Sequence, residues 1–495
     1  MQANEQSNNV NGGKARRQLR IAVVGGGIVG VATALGLLQR NLSVKLYEQA
    51  HSFREIGAGV AFTTNAQRCM ELLSPAVLGA MRVVSTKNES PYYTYVDGYR
   101  PPPARPEKTP AGDDGADDGD REDMNETQLF RLYAGDTGFD ACHRAHFLDE
   151  MVKHLPAGVV EFGKRFDGYT RDEERDEVVL RFEDGSTAVA DAIIGCDGIR
   201  SRVRQALLGK ANPASHPSFT HQVAYRGLIA MPRAVAALGA SKAHNQCMHM
   251  GPGAHLLNFP VAQHTLMNVV AFGRHPEPWA HERMVAPAAR AEVLATFRGW
   301  LPAVRAIAGL LGDGEDAEGD KVGDGQSLDK WAIFDSYDHP APTYAKGCVC
   351  IAGDAAHAAS PHHGAGAGMG IEDGLALATV LEQAAETLEG AGDGKPGKAA
   401  VLTAAFAAYD AVRRERTQWL VRSSREVSQT YEWQNPDCEM DPKKCLKDIE
   451  WRAHKIWYFD IDGMLRDARS AYQDLLAKQS SDLGSGLGSS STGSQ

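Results

Sequence analysis

The sequence predicts an α/β fold: a parallel-sheet domain interleaved with a mostly antiparallel β-sheet domain and followed by C-terminal helices. Three observations carry the prediction. First, the apolar run Arg20 to Val24 breaks at Gly25-Gly26-Gly27 and resumes as Ile28 to Leu38 at helical spacing, with the alternating stretch Ser43 to Glu48 behind it. This is the pattern of a βαβ unit. Second, Gly347 to Ile351 runs into Gly353-Asp354-Ala355 far downstream, ahead of a long helical pattern starting near Gly368. Third, the strand-like segments Val223–Met231, His255–Val261 and Met267–Phe272 follow one another closely between those two regions, as in an antiparallel sheet.

In chain order, the polar stretch Met1 to Arg20 reads as a disordered leader, residues 1–18. The parallel-sheet domain is discontinuous, over 19–97, 124–210 and 335–398. Val189 to Ile194, interrupted only by Asp191, is expected to be one of its strands, ending at Gly195-Cys196-Asp197-Gly198. Residues 98–123, from Pro101-Pro102-Pro103 to Asp123, are too rich in Pro, Gly and Asp to pack and form an inserted loop. The β-sheet domain occupies 211–334. Two helical stretches, Ala399–Tyr431 and Ile449–Ala477, make a C-terminal region over 399–478, and the Gly/Ser-rich 479–495 reads as a disordered tail.

With 52 basic against 63 acidic residues the net charge is −11, which counts against nucleic-acid binding. Part of the excess lies in two Gly-rich acidic runs, Asp113 to Asp123 and Asp313 to Asp324, read as solvated loops. The eight cysteines form no CxxC pair and no Cys/His ligand spacing, so no metal is expected. No apolar run approaches the roughly 18 residues of a membrane span. These features predict a reduced, soluble, cytoplasmic protein without nucleic-acid or membrane partners, a monomer or homodimer.

Gly25-x-Gly27-x-x-Gly30 follows a strand and opens a helix. The first glycine makes the turn, the second lets backbone approach a pyrophosphate, the third lets helix and strand pack closely, and the helix N-terminus faces the negative charge. Glu48, 18 residues beyond Gly30, stands at the end of the next strand for ribose hydroxyls and disfavours a 2′-phosphate in this slot. A Gly-rich packing turn would not need that acid. The second junction, Gly353-Asp354-Ala355-Ala356-His357 with Pro361-His362-His363-Gly364-Ala365-Gly366-Ala367-Gly368, could hold a distant part of a long cofactor. NAD needs no such second segment, whereas extended FAD does. Arg54 and Arg144 are candidates for diphosphate and ring contacts, against the alternative of surface or structural charges.

In combination the Gly25 fingerprint with Glu48, Arg144, Asp197-Gly198 and Gly353-Asp354 resemble the group A flavoprotein monooxygenases. The resemblance implies a Rossmann-like (GR2-type) FAD-binding domain interleaved with a β-sheet substrate domain. It implies that Asp197-Gly198 serves both FAD and pyridine nucleotide, that Asp354 meets the ribityl chain, and that Ala61, Gly366 and Ala367 complete the cofactor-binding set. NADPH or NADH would dock transiently, as no second fingerprint is visible. More narrowly, Phe53–Leu73, Val223–Met231, Ser360–Asp373 and His454–Asp460 resemble salicylate-hydroxylase-like enzymes of fungal polyketide pathways, which oxygenate phenols with loss of aromaticity on routes to azaphilones, tropolones and sorbicillinoids. The implied activity is FAD-dependent monooxygenation, with NAD(P)H and O2, through a flavin C4a-hydroperoxide that hydroxylates a phenolic substrate.

Arg226 interrupts the apolar run Val223 to Ile229, and period-2 alternation puts it on one face with Ala224 and Leu228. A cation there needs an anion, either a substrate phenolate or a structural carboxylate. The resemblance favours phenolate. Phe259 stands where many dearomatising relatives carry a tyrosine that shares the phenolate hydrogen bond; Tyr225 and His255 are the compensating candidates. Pro361 and His362 are expected to border the reactive side of the flavin, where backbone dipoles stabilise charge. His357, His362 and His363 are too irregularly spaced for a metal site. Alternatives are an epoxidase or flavin-dependent reductase on the same fold, an NAD-dependent dehydrogenase, and a module binding FAD only structurally.

Overall fold

A computed structural model describes residues 19–53, 59–101, 127–135, 140–312, 328–390 and 396–486, with side chains to residue 479. The leader 1–18, Arg54, both acidic runs and most of the loop 98–123 lie outside the described residues.

The parallel layer is a six-stranded sheet in the order Ala345–Lys346, Val349–Ile351, Ala192–Gly195, Arg20–Val24, Ser43–Tyr47, Val160–Glu161. All its pairings are parallel except that of the edge strand Ala345–Lys346 with Val349–Ile351. Strands covered on both faces must be apolar throughout, and Ile21 to Val24, Ala192 to Ile194 and Val349 to Ile351 are all buried. Helix Ile28–Gln39 lies on this layer, and the 24-residue helix Gly366–Glu389 crosses it so closely that no side chain fits at Gly370, where a Cβ would come 2.3 Å from Val29.

The second layer is an eight-stranded, mostly antiparallel sheet. Its order is Val285–Ala288, Leu328–Asp335, Ser218–Ala230, Leu266–Arg274, Ala254–Val261, Cys247–Gly251, Tyr92–Asp97, Thr127–Tyr133. The last two strands correct the sequence-based boundaries, which assign them to the parallel-sheet domain. The inward aromatics explain the move: Tyr95 stacks on Phe130 at 4.7 Å and meets Tyr431, and Tyr93 meets Trp457, so their apolar partners come from the C-terminal helices.

The stretch Val189 to Ile194 is also not one strand. Thr187–Ala190 belongs to a small antiparallel sheet with Glu177–Phe182 and Phe166–Asp172, and Ala192–Gly195 to the parallel layer. Asp191 is the joint between them. Its carboxylate accepts from Arg20 N (2.8 Å), Arg20 Nη2 (2.9 Å) and Lys398 Nζ (2.6 Å).

At the C-terminus Lys398–Tyr431 is one helix, but Ile449–Ala477 resolves into Pro442–Trp457 and Ile461–Gly486. Asp441 caps the first of these by accepting from Lys443 N and Lys444 N, with Pro442 at its first position. The second continues past residue 478, where the sequence reading ended the helices.

Candidate functional site

Gly25, Gly26 and Gly30 of the first turn are each under a steric constraint that a side chain would break. Gly25 has φ +107°, and a Cβ there would meet Cys196 O at 2.4 Å; at Gly30 it would meet Gly25 O at 1.9 Å. The turn thus delivers the N-terminus of Ile28–Gln39 against the Cys196-Asp197 backbone. Glu48 closes the mouth of the turn: Gly26 N donates to Oε2 (2.6 Å) and Ala50 N to Oε1 (2.8 Å). Each oxygen keeps a lone pair for a further donor.

The downstream segment meets the first around Val29, whose methyls lie against both Gly353 and Gly370. Asp354 opens the turn Asp354–His357 with its carboxylate exposed, and a Cβ on Gly366 would lie 3.9 Å from Asp354 Oδ1. Asp354, Gly366 and Ala367 therefore share one rim. Asp197 sits differently. Its carboxylate accepts from Ser201 Oγ (2.5 Å), Arg202 N (2.7 Å) and Val203 N (3.1 Å), heading the helix Arg202–Leu208. Burial raises its pKa, those three donors notwithstanding.

Two buried arginines that composition could not single out brace this rim. Arg204 donates to Ile199 O (2.5 Å), Asp354 O (3.3 Å) and Ala355 O (3.0 Å), tying the Asp197 segment to the Asp354 turn. Arg413 bonds Glu372 Oε2 (2.7 Å) and Asp373 Oδ1 (2.8 Å), while Asp373 Oδ2 accepts from Gly353 N (2.9 Å) and lies 2.5 Å from His357 Nε2. Burial alone would raise both carboxyls. Arg413 pulls Glu372 below its ordinary value, and His357 with Arg413 does the same for Asp373.

The eight-stranded sheet presents one face toward these segments. Arg226 is opposite Val270, which is opposite Leu257; the next row is Leu228, Asn268, Phe259; the row on the other side is Ala224, Phe272, His255. Arg226 makes no hydrogen bond and no ion pair among the described residues. Its Nε is enclosed without an acceptor, and its guanidinium lies 5.2 Å from the Trp331 ring centroid. Burial, and then the charge of Arg144, push its pKa down to about 10. A structural carboxylate, the alternative left open by the sequence, is absent among the described residues. Arg144, read from the sequence as a cofactor ligand, follows the strand Asp140–His143, whose His143 pairs with Gly59; Ala61 on the same small sheet pairs with Ala141. Phe259 is 4% exposed, and its ring leaves no room for a Cβ at Gly59.

Tyr225 is a correction. The pleat sends it to the opposite face, where burial raises its pKa and its hydroxyl reaches Thr296 on the helix Arg290–Thr296. It cannot face the Arg226 side without a one-residue slip of the strand.

His362, on the turn Pro361–His363, points into the sheet domain. Its Nε2 lies 3.0 Å from Gln222 Oε1 and its Nδ1 3.2 Å from His255 Nε2; His255 Nδ1 lies 3.2 Å from Glu432 Oε1 and its ring stacks on Phe272. Burial, then His255, push His362 well below the usual imidazole range. An amide oxygen only accepts, so a neutral His362 donates from Nε2 and accepts at Nδ1. His255 then donates from Nε2 to His362, and its Nδ1 faces the Glu432 carboxyl. His363 bonds Ser423 Oγ (2.9 Å) and His357 bonds Asp373, so each of the three histidines doubted as metal ligands has a protein partner. Sequence reasoning missed Glu432 altogether, because it ends a helix more than 170 residues from His255.

Comparison with known proteins decides the family. The model described as "FAD binding domain" matches residues 18–224 and 316–414. An FAD-dependent monooxygenase of Aspergillus niger, orf3, is 46% identical over 93% of this chain and 98% of its own. Another from Monascus ruber, pigN, is 48% identical over the same shares. A solved salicylate hydroxylase substrate complex superposes with TM-score 0.72 at 30% identity, over 92% of this chain and 98% of that one. The chain belongs to the FAD-dependent monooxygenases. The geometry fits the cofactor: in this monooxygenase the glycine turn at the head of Ile28–Gln39, the Glu48 carboxylate and the exposed Asp354 carboxylate line up along the seam where the two chain segments meet. No helix among the described residues is long and apolar enough to cross a membrane.

Proposed function

We propose that this monooxygenase hydroxylates a phenol, of the kind made by fungal polyketide pathways, held as its phenolate against Arg226. The observation that carries the proposal is the Arg226 guanidinium, its Nε enclosed, with no anion beside it among the described residues. A cation in that state costs free energy that a phenolate would recover, and the same charge favours the ionised and more nucleophilic form of the substrate. Bound FAD supplies the activation of O2, with NADPH or NADH as the electron source. The protein's residues bind and orient. Gly25 makes the turn, amides at Gly27 and Gly30 take the diphosphate, Glu48 the ribose, and Asp354, Gly366, Ala367 and Ala61 the ribityl and ring portion. Arg54 and Arg144 are proposed as further contacts. Asp197 acts by holding its helix, and Pro361 and His362 border the ring. Phe259 packs the substrate without donating to it. The unpaired thiols of all eight cysteines support a reducing, cytoplasmic setting.

The test is NAD(P)H consumption by the flavin-loaded protein over a panel of alkylated resorcinols, resorcylic aldehydes and salicylates, with mass spectrometry of the product. A gain of one oxygen by a phenol is expected. NAD(P)H oxidation that yields only hydrogen peroxide with every phenol would reject it.

A further inference from the structure

The sheet face that carries Arg226 holds a second enclosed donor with nothing to donate to. Asn268 is 1% exposed, and its Nδ2 has no acceptor among the described residues. Its orientation is determined: Oδ1 accepts from Gly59 N at 2.9 Å, so a flipped amide would set NH2 against N–H. Asn268 lies directly between Leu228 and Phe259 in its row, one row along from Arg226, with apolar Val270 and Leu257 beside it. A buried N–H left without an acceptor is destabilising, and two such donors on one sheet face point to one ligand with two acceptors.

Diagonal positions on neighbouring strands are about 7–8 Å apart, a separation that one benzene ring with two oxygen substituents can bridge. Resting on the phenol-hydroxylase reading, we infer that Asn268 is a specificity-determining residue: its Nδ2 takes the carbonyl oxygen of an aromatic aldehyde or ketone whose phenolate oxygen is held by Arg226. The two donors differ in kind. The charged guanidinium selects the ionised oxygen; the neutral amide, among Leu228, Leu257 and Phe259, suits an uncharged acceptor. Together they fix the ring in the plane of the sheet face and so set which ring carbon is presented for attack.

The test is a cycle of two ligands and two proteins. The flavin-loaded wild type and Asn268→Asp, which keeps an oxygen for Gly59 N but removes the donor, are titrated with 2,4-dihydroxybenzaldehyde and with 4-methylresorcinol, following the flavin absorbance. The expected result is a loss of about tenfold or more in affinity for the aldehyde and at least threefold less loss for the methyl compound. Equal losses for both ligands, or none for either, would overturn the role of Asn268 and leave the phenol reading standing. Wild type that binds neither ligand and oxidises NAD(P)H with neither would remove both. Asn268→Ala replaces Asn268→Asp if the new carboxylate lowers flavin content, and the same ratio of ratios is read from it.

Discussion

Arg226 shows how one side chain can be judged by what surrounds it. A guanidinium normally stays protonated at any usable pH, but enclosure and the nearby Arg144 bring this one down to about 10. Phenol binding is therefore expected to weaken as pH rises through about 10, beyond what ionisation of the phenol itself predicts, and an affinity unchanged to pH 11 would argue against the anchor. Arg226→Ala should lower kcat/KM for a phenol by roughly 30-fold to a few thousand-fold, the equivalent of about 2–5 kcal/mol for one partner of an enclosed charge pair. Flavin content should stay at the wild-type level, since no cofactor contact depends on it; a variant with full activity would exclude the role. At the same scale, Gly30→Ala must push a methyl into a space where Gly25 O would be 1.9 Å away. The turn has to open, and the purified variant should retain only a small fraction of its flavin absorbance.

At the scale of elements, the helices Gly366–Glu389 and Lys398–Tyr431 are joined by Arg413, Glu372 and Asp373, all fully buried. Such a cluster adds little over an apolar core when intact, but removing one member leaves uncompensated charge. Arg413→Leu is expected to cost about 3–5 kcal/mol of stability and to loosen the Gly353 turn, seen as a lower melting temperature and faster flavin release. Glu372 and Asp373 titrate in the folded protein below their ordinary values of 4.5 and 3.8. Their contribution is therefore complete above a pH of about 4.5 and falls away as pH drops through the depressed values. Acid release of flavin should follow that window in wild type and shift to higher pH in Arg413→Leu; superimposable curves would show that the cluster does not hold the turn.

Over the whole molecule, the cofactor seam is built from chain segments more than 300 residues apart, and the eight-stranded sheet is tied through Gln222 and His255 to His362 on the turn Pro361–His363 and to Glu432 at the end of the helix Lys398–Tyr431. A ligand that bridges such segments binds only the folded chain and stabilises it by mass action, by about 2.7 kcal/mol at a hundredfold excess over its Kd. The melting temperature of the flavin-stripped protein is expected to rise steadily with added FAD. A melting temperature indifferent to FAD would mean that the seam does not hold it.

Much of this was legible in order along the chain. The glycine turn, Glu48 and the strand–helix–strand around them are local features, so spacing alone located them. Arg226 on an otherwise apolar strand announced a charge that something must meet. Asn268 sent the same kind of signal, a polar residue in Met267-Asn268-Val269-Val270, yet a lone amide is so often satisfied by backbone that sequence does not distinguish it. Asp191 read as a blemish in one strand because its partners, Arg20 and Lys398, lie 171 and 207 residues away. Tyr92 to Asp97 read as part of the first domain because chain proximity is the default, and only the aromatic partners on Phe130, Tyr431 and Trp457 reassign it.

By itself, then, the sequence determined the local chemistry: which turns could take a diphosphate, which strands were buried, and where an unexplained cation stood. Only the tertiary structure decided that Arg226 has no carboxylate partner among the described residues, that Tyr225 faces away from it and that Asn268 faces with it. The physical reason is that pairing and pleat direction depend on strand register and on groups distant along the chain. A buried charge or amide is satisfied or left wanting by whatever folding brings beside it, and no spacing rule along the chain records that.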